Sequence, residues 1–378
     1  MYRPLYLDFH ALQTVPPSCI NRDDTGSPKT ARFGGVVRAR ISSQAWKKAI
    51  RDDFRRLLDE DDLALRTKHV VEAIARRIQG LDAGIDEDVA TELAKAALAA
   101  TGIKVAKENL TGYLLFISSR QMDELARLAV EAHLSSSKVD AKAAKAALNT
   151  RERPSLNAVD IALFGRMVAD AADLNCDAAV QVAHALGVGA AQTEFDYFTA
   201  MDDCSADDNS GAGMIGTVEF LSATLYRYAT LDVAHLYENL GSKKATLAAI
   251  RAFSTTFARS MPTGKQNTFA NRTLPAAVVI EERDTQPVSL ANAFELPVYG
   301  RGEKSQMSIA CERLVREQRC IDEAFGVTPT HAVVVVASPE AQAIKEIATE
   351  TGSLDEMVSS IVGRVSAYLD ENYPSDGE

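Results

Sequence analysis

The chain has 378 residues, of which 46% are hydrophobic and 25% charged, ordinary values for a soluble globular protein of two or three domains. Its net charge of −11 argues against a free-standing DNA-binding protein. No apolar run approaches the ~18 residues of a membrane span. Five scattered cysteines without a C-x-x-C pair indicate neither a zinc site nor a disulfide framework. We therefore expect a cytoplasmic protein without membrane contact, metal or cofactor.

The first elements are predicted to be a strand, a hairpin and a helix. Apolar and polar side chains alternate over 2–15, which predicts the strand, and the FGG sequence at 33–35 begins the hairpin. One of the two serines at 42–43 is the predicted N-cap of the helix. Apolar residues then recur at helical spacing and form one stripe, which consists of Trp46, Ile50, Phe54 and Leu57.

The hairpin–helix segment, which we define as residues 29–56, reverses the charge of the chain. It holds nine Lys/Arg and two Asp, so its net charge is +7 and the rest of the chain carries −18. Because phosphate responds to the local field, this reversal indicates a nucleic-acid partner. Free N–H groups at the helix N-terminus and serine hydroxyls are donors that grip phosphate without reading bases. A capped surface helix with solvated cations is the alternative interpretation.

A mostly helical insertion, residues 59–180, follows. Ala-rich periodic segments predict four helices and one short strand, at 64–78, 87–100, 120–133 and 139–148 for the helices and 113–117 for the strand. Residues 155–168 look extended again and end on Gly165-Arg166-Met167.

Two alternating runs, 193–199 and 217–228, flank a polar, Gly-rich and acidic stretch at 202–216. A connection of ~15 residues exceeds the usual hairpin loop, so the pattern predicts a long β-hairpin arm with a mobile tip. The aspartates of the tip make it a poor phosphate binder. Phe198 and Thr199 at the root of the arm are better candidates for touching a base or sugar, because aromatic stacking tolerates any base.

The rest of the chain predicts interleaved strands and helices, so the fold class is α+β with a ferredoxin-like β-α-β-β-α-β core. The predicted strands are 217–230, 276–282 and 331–337, and the predicted helices are 232–258, 305–320 and 353–370. The loop at 261–272 carries Lys265 and Gln266 as a second candidate phosphate or sugar contact.

Several separated motifs resemble, in order, those of the Cascade backbone subunit of type I-E CRISPR systems, the CasC family. The motifs are PSCINRDD (17–24), FGG (33–35), RARISSQAWKKAIR (38–51), VDIALFGRM (159–167), DYFTAMDD (196–203), GKQNTF (264–269) and SLANAFE (289–295). The resemblance spans most of the chain, from about Tyr6 to Glu295.

The resemblance implies a right-hand-shaped subunit with three parts. They are an RRM-like palm (1–58 and 222–378), helical fingers (59–180) and a β-hairpin thumb (181–221). It also implies that several copies polymerise along one CRISPR RNA (crRNA) together with other Cascade subunits. The guide bases are then presented for pairing with target DNA. Sequence specificity would lie in base pairing, so the protein should read the RNA backbone.

We predict eleven RNA contacts from the residues and the resemblance together. Phosphate and sugar contacts are assigned to Arg22, Lys29, Ser42, Gln44, Lys47, Arg51, Lys265 and Gln266, and contacts at a kink of the guide to Met167, Phe198 and Thr199. The family places a Met in the GRM motif against the guide where the base stack breaks. Val36 and Val37 separate the FGG turn from the arginines, so the strand of that hairpin is left out of the site.

Two other functions stay open. An RNA endonuclease of related fold would cut through a metal held by Asp23 or Asp24. A general single-strand RNA-binding protein would carry the aromatic RNP pattern of RRM sheets, which is absent here. Neither a P-loop nor a dinucleotide fingerprint occurs, nor does any His/Cys ligand spacing. We therefore expect a non-catalytic scaffold.

Overall fold

The computed structural model describes residues 4–200 and 214–374. Within them the fold is α+β and is organised around one ten-stranded mixed sheet. The strands are β1 (Tyr6–Ser18), β2 (Thr30–Phe33), β3 (Val36–Ile41), β4 (Ala64–Thr67), β5 (Leu115–Ser118), β6 (Val180–Val182), β7 (Ala185–Gly187), β8 (Glu194–Ala200), β9 (Met214–Asp232), β10 (Ala277–Arg283), β11 (His331–Val336) and β12 (Thr349–Glu350). The helices are α1 (Ser43–Phe54), α2 (Val70–Leu81), α3 (Glu87–Ala100), α4 (Ser119–Leu134), α5 (Ala141–Leu148), α6 (Val159–Phe164), α7 (Val233–Leu240), α8 (Lys243–Arg259), α9 (Gln266–Phe269), α10 (Gln306–Phe325) and α11 (Leu354–Asn372).

The large sheet runs in the order β12-β11-β10-β1-β9-β7-β3-β2, and β6 and β8 also pair with β9. β1 lies between β10 and β9 and is antiparallel to both, with Tyr6 opposite Arg283 on one side and Asp232 on the other. β9 is 19 residues long, so it continues past β1 and pairs with β8 from Phe220 outwards. This extension is the hairpin arm.

Each face of β1 is covered by a separate core, because alternate side chains of a strand point to opposite faces. On one face Phe9 packs edge-on against Phe253 of α8, with ring centroids 5.1 Å apart, and Ile50 of α1 joins the same core. On the other face Leu12 packs with Leu314 of α10. Fully burying such a side chain contributes about 1.5–3 kcal/mol to the stability of the fold. This packing therefore holds α1, which carries part of the candidate site, on the sheet.

The helical insertion has its own apolar core, made by one face of each of α2, α3, α4 and α5. The predicted helix at 87–100 is α3 with the same bounds. The prediction that a helix begins at residue 64 is wrong, because 64–67 form β4, which pairs with β5, and α2 begins at Val70. None of the described helices is long and apolar enough to cross a membrane.

Three further predictions need correction. Residues 159–164 are helical rather than extended. Five consecutive side chains of α6 are buried, so no amphipathic period marks it and its β-branched residues mimic a strand. The predicted helix 232–258 breaks at Gly241, which adopts the left-handed conformation that ends α7. Leu57 is exposed because α1 ends at Phe54. The predicted mobile tip lies mostly outside the described residues.

Candidate nucleic-acid interface

The hairpin of β2 and β3 is anchored at its turn and by a buried arginine. A Cβ at Gly34 would lie 1.6 Å from the carbonyl oxygen of Glu295, so only glycine fits there. The Arg38 guanidinium is fully buried and donates to backbone carbonyl oxygens, those of Phe33, Gly187, Val188, Phe294 and Glu295. The FGG and SLANAFE motifs, far apart in the chain, therefore meet and fix the hairpin.

The start of α1 is also fixed by specific hydrogen bonds. Ser42, one of the two serines predicted for this position, is the N-cap, and its hydroxyl accepts a hydrogen bond from Ala45 N at 3.3 Å. Ser42 N donates to Asn21 Oδ1 at 2.8 Å, which joins the helix to the preceding loop. The buried guanidinium of Arg227 lies 3.8 Å from the Trp46 ring centroid and holds the apolar face of α1 on the sheet. Gln44 is exposed in the first turn.

The nine cations of the hairpin–helix segment divide by their partners. Arg38 is buried, and three others lie within 4 Å of a carboxylate: Lys48, Arg51 and Arg56. The other five have no carboxylate partner among the residues that the structure describes, and we call them the unpaired hairpin–helix cations: Lys29, Arg32, Arg40, Lys47 and Arg55. A cation without an internal counter-charge keeps its attraction for external phosphate.

Arg51 differs from the other candidates because it joins α1 to the helical insertion. Its Nε lies 3.0 Å from Asp160 Oδ2, and its guanidinium stacks 4.4 Å from the Phe116 centroid. Asp160 Oδ1 accepts from Ala64 N at 2.9 Å. Burial raises the pKa of Asp160, and the charge of Arg51 opposes this rise. Arg51 therefore has a structural partner, whatever it offers to RNA.

Lys47 reaches the segment that carries Met167. Its Nζ lies 5.7 Å from the centroid of Phe164, the last residue of α6, and burial lowers the pKa of Lys47. Arg166 is buried and donates to Leu174 O at 2.8 Å. Because Arg166 points inward in an extended bridge, the next side chain points out. Met167 is 83% exposed, which suits an apolar contact to a ligand.

Arg22 and Lys265 come together around Cys19. Burial raises the pKa of this thiol, and the charges of Arg22 and Lys265 oppose the rise. A Cβ at Gly264 would lie 2.3 Å from Ile20 O, so the 261–272 loop packs directly on the chain after β1. Two predicted contacts that lie 243 positions apart in sequence are therefore neighbours.

The remaining predicted contacts lie on or beside the hairpin arm. The prediction that Phe198 and Thr199 lie at its root is wrong, because the β8–β9 pairing begins at Glu194 and they are near its far end. The Phe198 ring covers Gly216 of the facing strand, where an added Cβ would meet the ring at 2.4 Å. Phe220 of β9 packs against Phe269 of α9, with centroids 5.7 Å apart, so the 261–272 loop also reaches the base of the arm. The candidates here, Phe198, Thr199 and Gln266, are all exposed. Among the described residues, no hydrogen bond, ion pair or ring contact joins Phe198 to the hairpin–helix segment.

Asp23 closes its own loop. Its Oδ1 accepts from Thr25 N at 2.9 Å, Thr25 Oγ1 at 2.7 Å and Ser27 N at 3.0 Å. The hydrogen bonds from Thr25 hold the pKa of Asp23 below its usual range. This arrangement is the loop-capping alternative to a metal ligand. Asp24 is exposed beside it.

Two residues that the sequence analysis did not assign lie at the same site. Arg40 NH1 lies 3.2 Å from His184 Nδ1. The alternation of β3 places Arg38 and Arg40 on one face and could have indicated Arg40. The sequence cannot tell that the segment at 294–295 covers only Arg38. His184 is 144 positions from Arg40, and no local pattern marks it.

The fold and the site together define an α+β protein with a long hairpin arm and a basic face. That face is built from a hairpin, a helix N-terminus and the 261–272 loop. The chain belongs to the Cas_CT1975 family of CT1975-like proteins, whose model matches residues 7–360. No curated protein matches the chain.

Two solved structures are similar over nearly the whole chain. A subunit described as "CRISPR RNA-guided surveillance complex, pre-nicking" is 32% identical with a TM-score of 0.82, and the match covers 95% of this chain and 100% of that one. A second, described as "CRISPR RNA-guided surveillance complex", is 26% identical with a TM-score of 0.62 over 95% and 99%. With the family model they confirm the resemblance to Cascade-type CRISPR proteins. The I-E CasC subtype stays a prediction.

Proposed function

We propose that the chain is a non-catalytic backbone subunit of a CRISPR surveillance complex and holds crRNA by its phosphates. The observation that carries this proposal is the group of unpaired hairpin–helix cations in an otherwise acidic chain, of which Lys29, Arg40 and Lys47 lie toward the N-terminal end of α1. Donors of this kind contact phosphate and sugar and carry no sequence information. A guide of arbitrary sequence requires such a surface, because base pairing supplies the specificity.

The sheet core fits an RRM-like palm. β1, α1, β7, β9, α8 and β10 follow one another as β-α-β-β-α-β. β1 lies between β10 and β9, β7 lies beyond β9, and all these pairs are antiparallel. α1 and α8 cover the same face of β1. This strand order supports the palm, and the insertion and the arm take the places of fingers and thumb.

The non-catalytic part of the proposal has two supports. Asp23 Oδ1 already accepts hydrogen bonds from three donors of its own loop. In the described part of the chain, one group of three side chains could hold a metal ion, namely Asp8, His10 and Glu281. These residues are buried, and Arg283 already pairs with Glu281 at 2.5 Å and with Asp8 at 3.2 Å. A metal ion would have to displace a buried guanidinium.

The arm and the GRM segment give the proposal its finer detail. Met167, Phe198 and Thr199 would contact the guide where its base stack breaks, and the intervening bases would pair with target DNA. Phe195 and Tyr197 lie two positions apart on one face of β8 and are 67% and 64% exposed. Large exposed aromatic side chains favour a protein partner. We assign this face to a neighbouring copy of the chain in a polymer that also includes other Cascade subunits.

Co-expression tests the proposal. The chain is produced with its neighbouring complex subunits and a CRISPR array, the particle is purified by size, and the bound nucleic acid is sequenced. We expect repeat-flanked RNA of uniform length in a large particle whose number of copies follows the RNA length. Random cellular RNA on a monomer would instead favour a general RNA-binding protein. Magnesium-dependent cutting of complementary RNA that Asp23→Ala abolishes would favour the endonuclease.

A further inference from the structure

Lys29, Arg40 and His184 converge near the N-terminus of α1. Arg40 belongs to β3, Lys29 precedes β2, and His184 lies between β6 and β7. Arg40 NH1 lies 3.2 Å from His184 Nδ1, and Arg40 Nε donates to Thr30 O at 3.1 Å. Burial lowers the pKa of His184, and the charges of Arg40 and Lys29 lower it further. The three side chains therefore share one small region.

The contact with Arg40 fixes the tautomer of His184. A guanidinium has N–H donors and no acceptor, so Nδ1 must accept the hydrogen bond. The ring is then neutral and carries its proton on Nε2. Because His184 is exposed, this N–H can reach a ligand. Lys29, Arg40 and His184 therefore present donors, and no described carboxylate pairs with any of them.

The backbone around these side chains is tied together. Arg40 N donates to Lys29 O at 2.9 Å, and Lys29 N donates to Asn21 O at 2.8 Å. The Asn21 side chain also accepts from Ser42 N at the helix start. Donors held in place before a ligand arrives lose less conformational entropy on binding. The ligand that matches several converging donors and two positive charges is a phosphate.

We propose that Lys29, Arg40 and His184 form one phosphate site for the bound RNA, in which His184 donates a neutral hydrogen bond from Nε2. The proposal rests on the proposed function and adds a contact residue that carries no charge. Lys29 and His184 should then contribute in different ways. Loss of a cation changes the salt dependence of binding, whereas loss of a neutral donor lowers affinity equally at every salt concentration.

Titration of a labelled repeat-flanked RNA with the full chain, at salt from about 50 to 200 mM, separates these contributions. We expect His184→Ala to weaken binding about tenfold, since it removes one hydrogen bond to a charged group, without changing the slope of log K against log salt. Lys29→Ala should reduce the slope by about 0.7. His184→Gln, whose amide can donate, should restore most of the affinity. His133→Ala, an exposed histidine of α4, is the matched control and should bind like wild type.

Each result decides between the site and the wider function. Unchanged affinity in His184→Ala, with Lys47→Ala weakened, would overturn the site and leave the proposed function standing. A slope change in His184→Ala as large as that of Lys29→Ala would overturn the neutral donor. If the wild-type chain binds no RNA, the proposed function fails. Inorganic phosphate then tests the site alone, because it should shift the His184 ring signals in NMR spectra of wild type but not of Lys29→Ala.

Discussion

The hairpin–helix segment and the helical insertion both carry many cations but differ in what surrounds them. The insertion has a net charge of −5, against +7 for the hairpin–helix segment. Eight cations of the insertion lie within 4 Å of a carboxylate: Arg76, Arg77, Lys95, Arg120, Arg127, Lys145, Arg151 and Arg153. These are eight of the 15 cations of the insertion, and its 20 Asp and Glu outnumber them, so the balance of charge rather than the number of cations separates a candidate phosphate surface from a solvated one.

Arg51 is a hairpin–helix cation with a buried carboxylate partner, so its loss should lower the stability of the fold. Arg51→Ala leaves the buried Asp160 carboxylate without its partner at 3.0 Å, so the free energy of unfolding should fall by about 3 kcal/mol at neutral pH. Burial already raises the pKa of Asp160, and without Arg51 the pKa rises further. A raised carboxyl pKa costs stability above the unfolded pKa, and this cost disappears as pH falls. Urea unfolding of wild type and Arg51→Ala at neutral and mildly acidic pH measures the difference.

Asp160→Asn is the control for this prediction. The amide carries no charge. The difference in free energy of unfolding between Asp160→Asn and the double variant, Asp160→Asn with Arg51→Ala, should therefore not depend on pH. A stability loss in Arg51→Ala that is equal at both pH values would contradict the pairing with Asp160. It would then assign the loss to the contact of Arg51 with Phe116.

Met167 tests whether the insertion contributes an uncharged, apolar contact to the RNA. Met167→Ala should weaken RNA binding by about 1 kcal/mol, roughly fivefold, because apolar burial against the guide is lost. Its salt slope and thermal midpoint should match wild type, since the side chain is 83% exposed in the free chain. Met167→Leu should retain most of the affinity. Wild-type affinity in Met167→Ala would remove this residue from the site.

Glu124→Gln should have the smallest effect of these changes, and it should lower stability without changing RNA affinity. Hydrogen bonds from Arg127 and then Arg153 lower the pKa of Glu124 to about 2. A depressed carboxyl pKa stabilises the fold above the unfolded pKa of 4.5 and loses this effect as pH falls through about 2. Glu124→Gln should therefore be less stable by about 0.5–1 kcal/mol at neutral pH, with the deficit shrinking below pH ~4.5. If Glu124→Gln lowered the free energy of RNA binding as much as the free energy of unfolding, Glu124, Arg127 and Arg153 would belong to the binding surface.

The local patterns of the sequence predicted the parts of the site that depend on neighbouring residues. The FGG turn, the N-cap at Ser42 and the apolar face of α1 each follow from short-range spacing, and the structure confirms them. The charge reversal is likewise visible without coordinates. The sequence of α6 resembles that of a strand and shows the limit of such patterns, because a helix buried on all sides has no amphipathic period.

The pairing of charges could not be predicted, because it depends on contacts between distant parts of the chain. Asp160 lies 109 positions after Arg51, and the carbonyl groups that bury Arg38 come from three separate segments. Arg38 and Arg40 are equivalent in the alternating pattern. Only the packing of the 294–295 segment makes one structural and leaves the other available to a ligand.

The most direct test of the account compares two triple variants that each remove three positive charges. The first is Lys29→Ala, Arg40→Ala and Lys47→Ala in the hairpin–helix segment. The second is Arg76→Ala, Lys95→Ala and Arg127→Ala in the insertion. The measurement is crRNA affinity of the full chain as a function of salt.

The account predicts that the first variant lowers the slope of log K against log salt by about 2 and weakens binding about 100-fold at 0.1 M salt. The second should bind with the slope and affinity of wild type, because its cations are already neutralised by carboxylates. Equal weakening of both variants would contradict the account. It would mean that RNA responds to the total charge of the chain and not to the unpaired hairpin–helix cations.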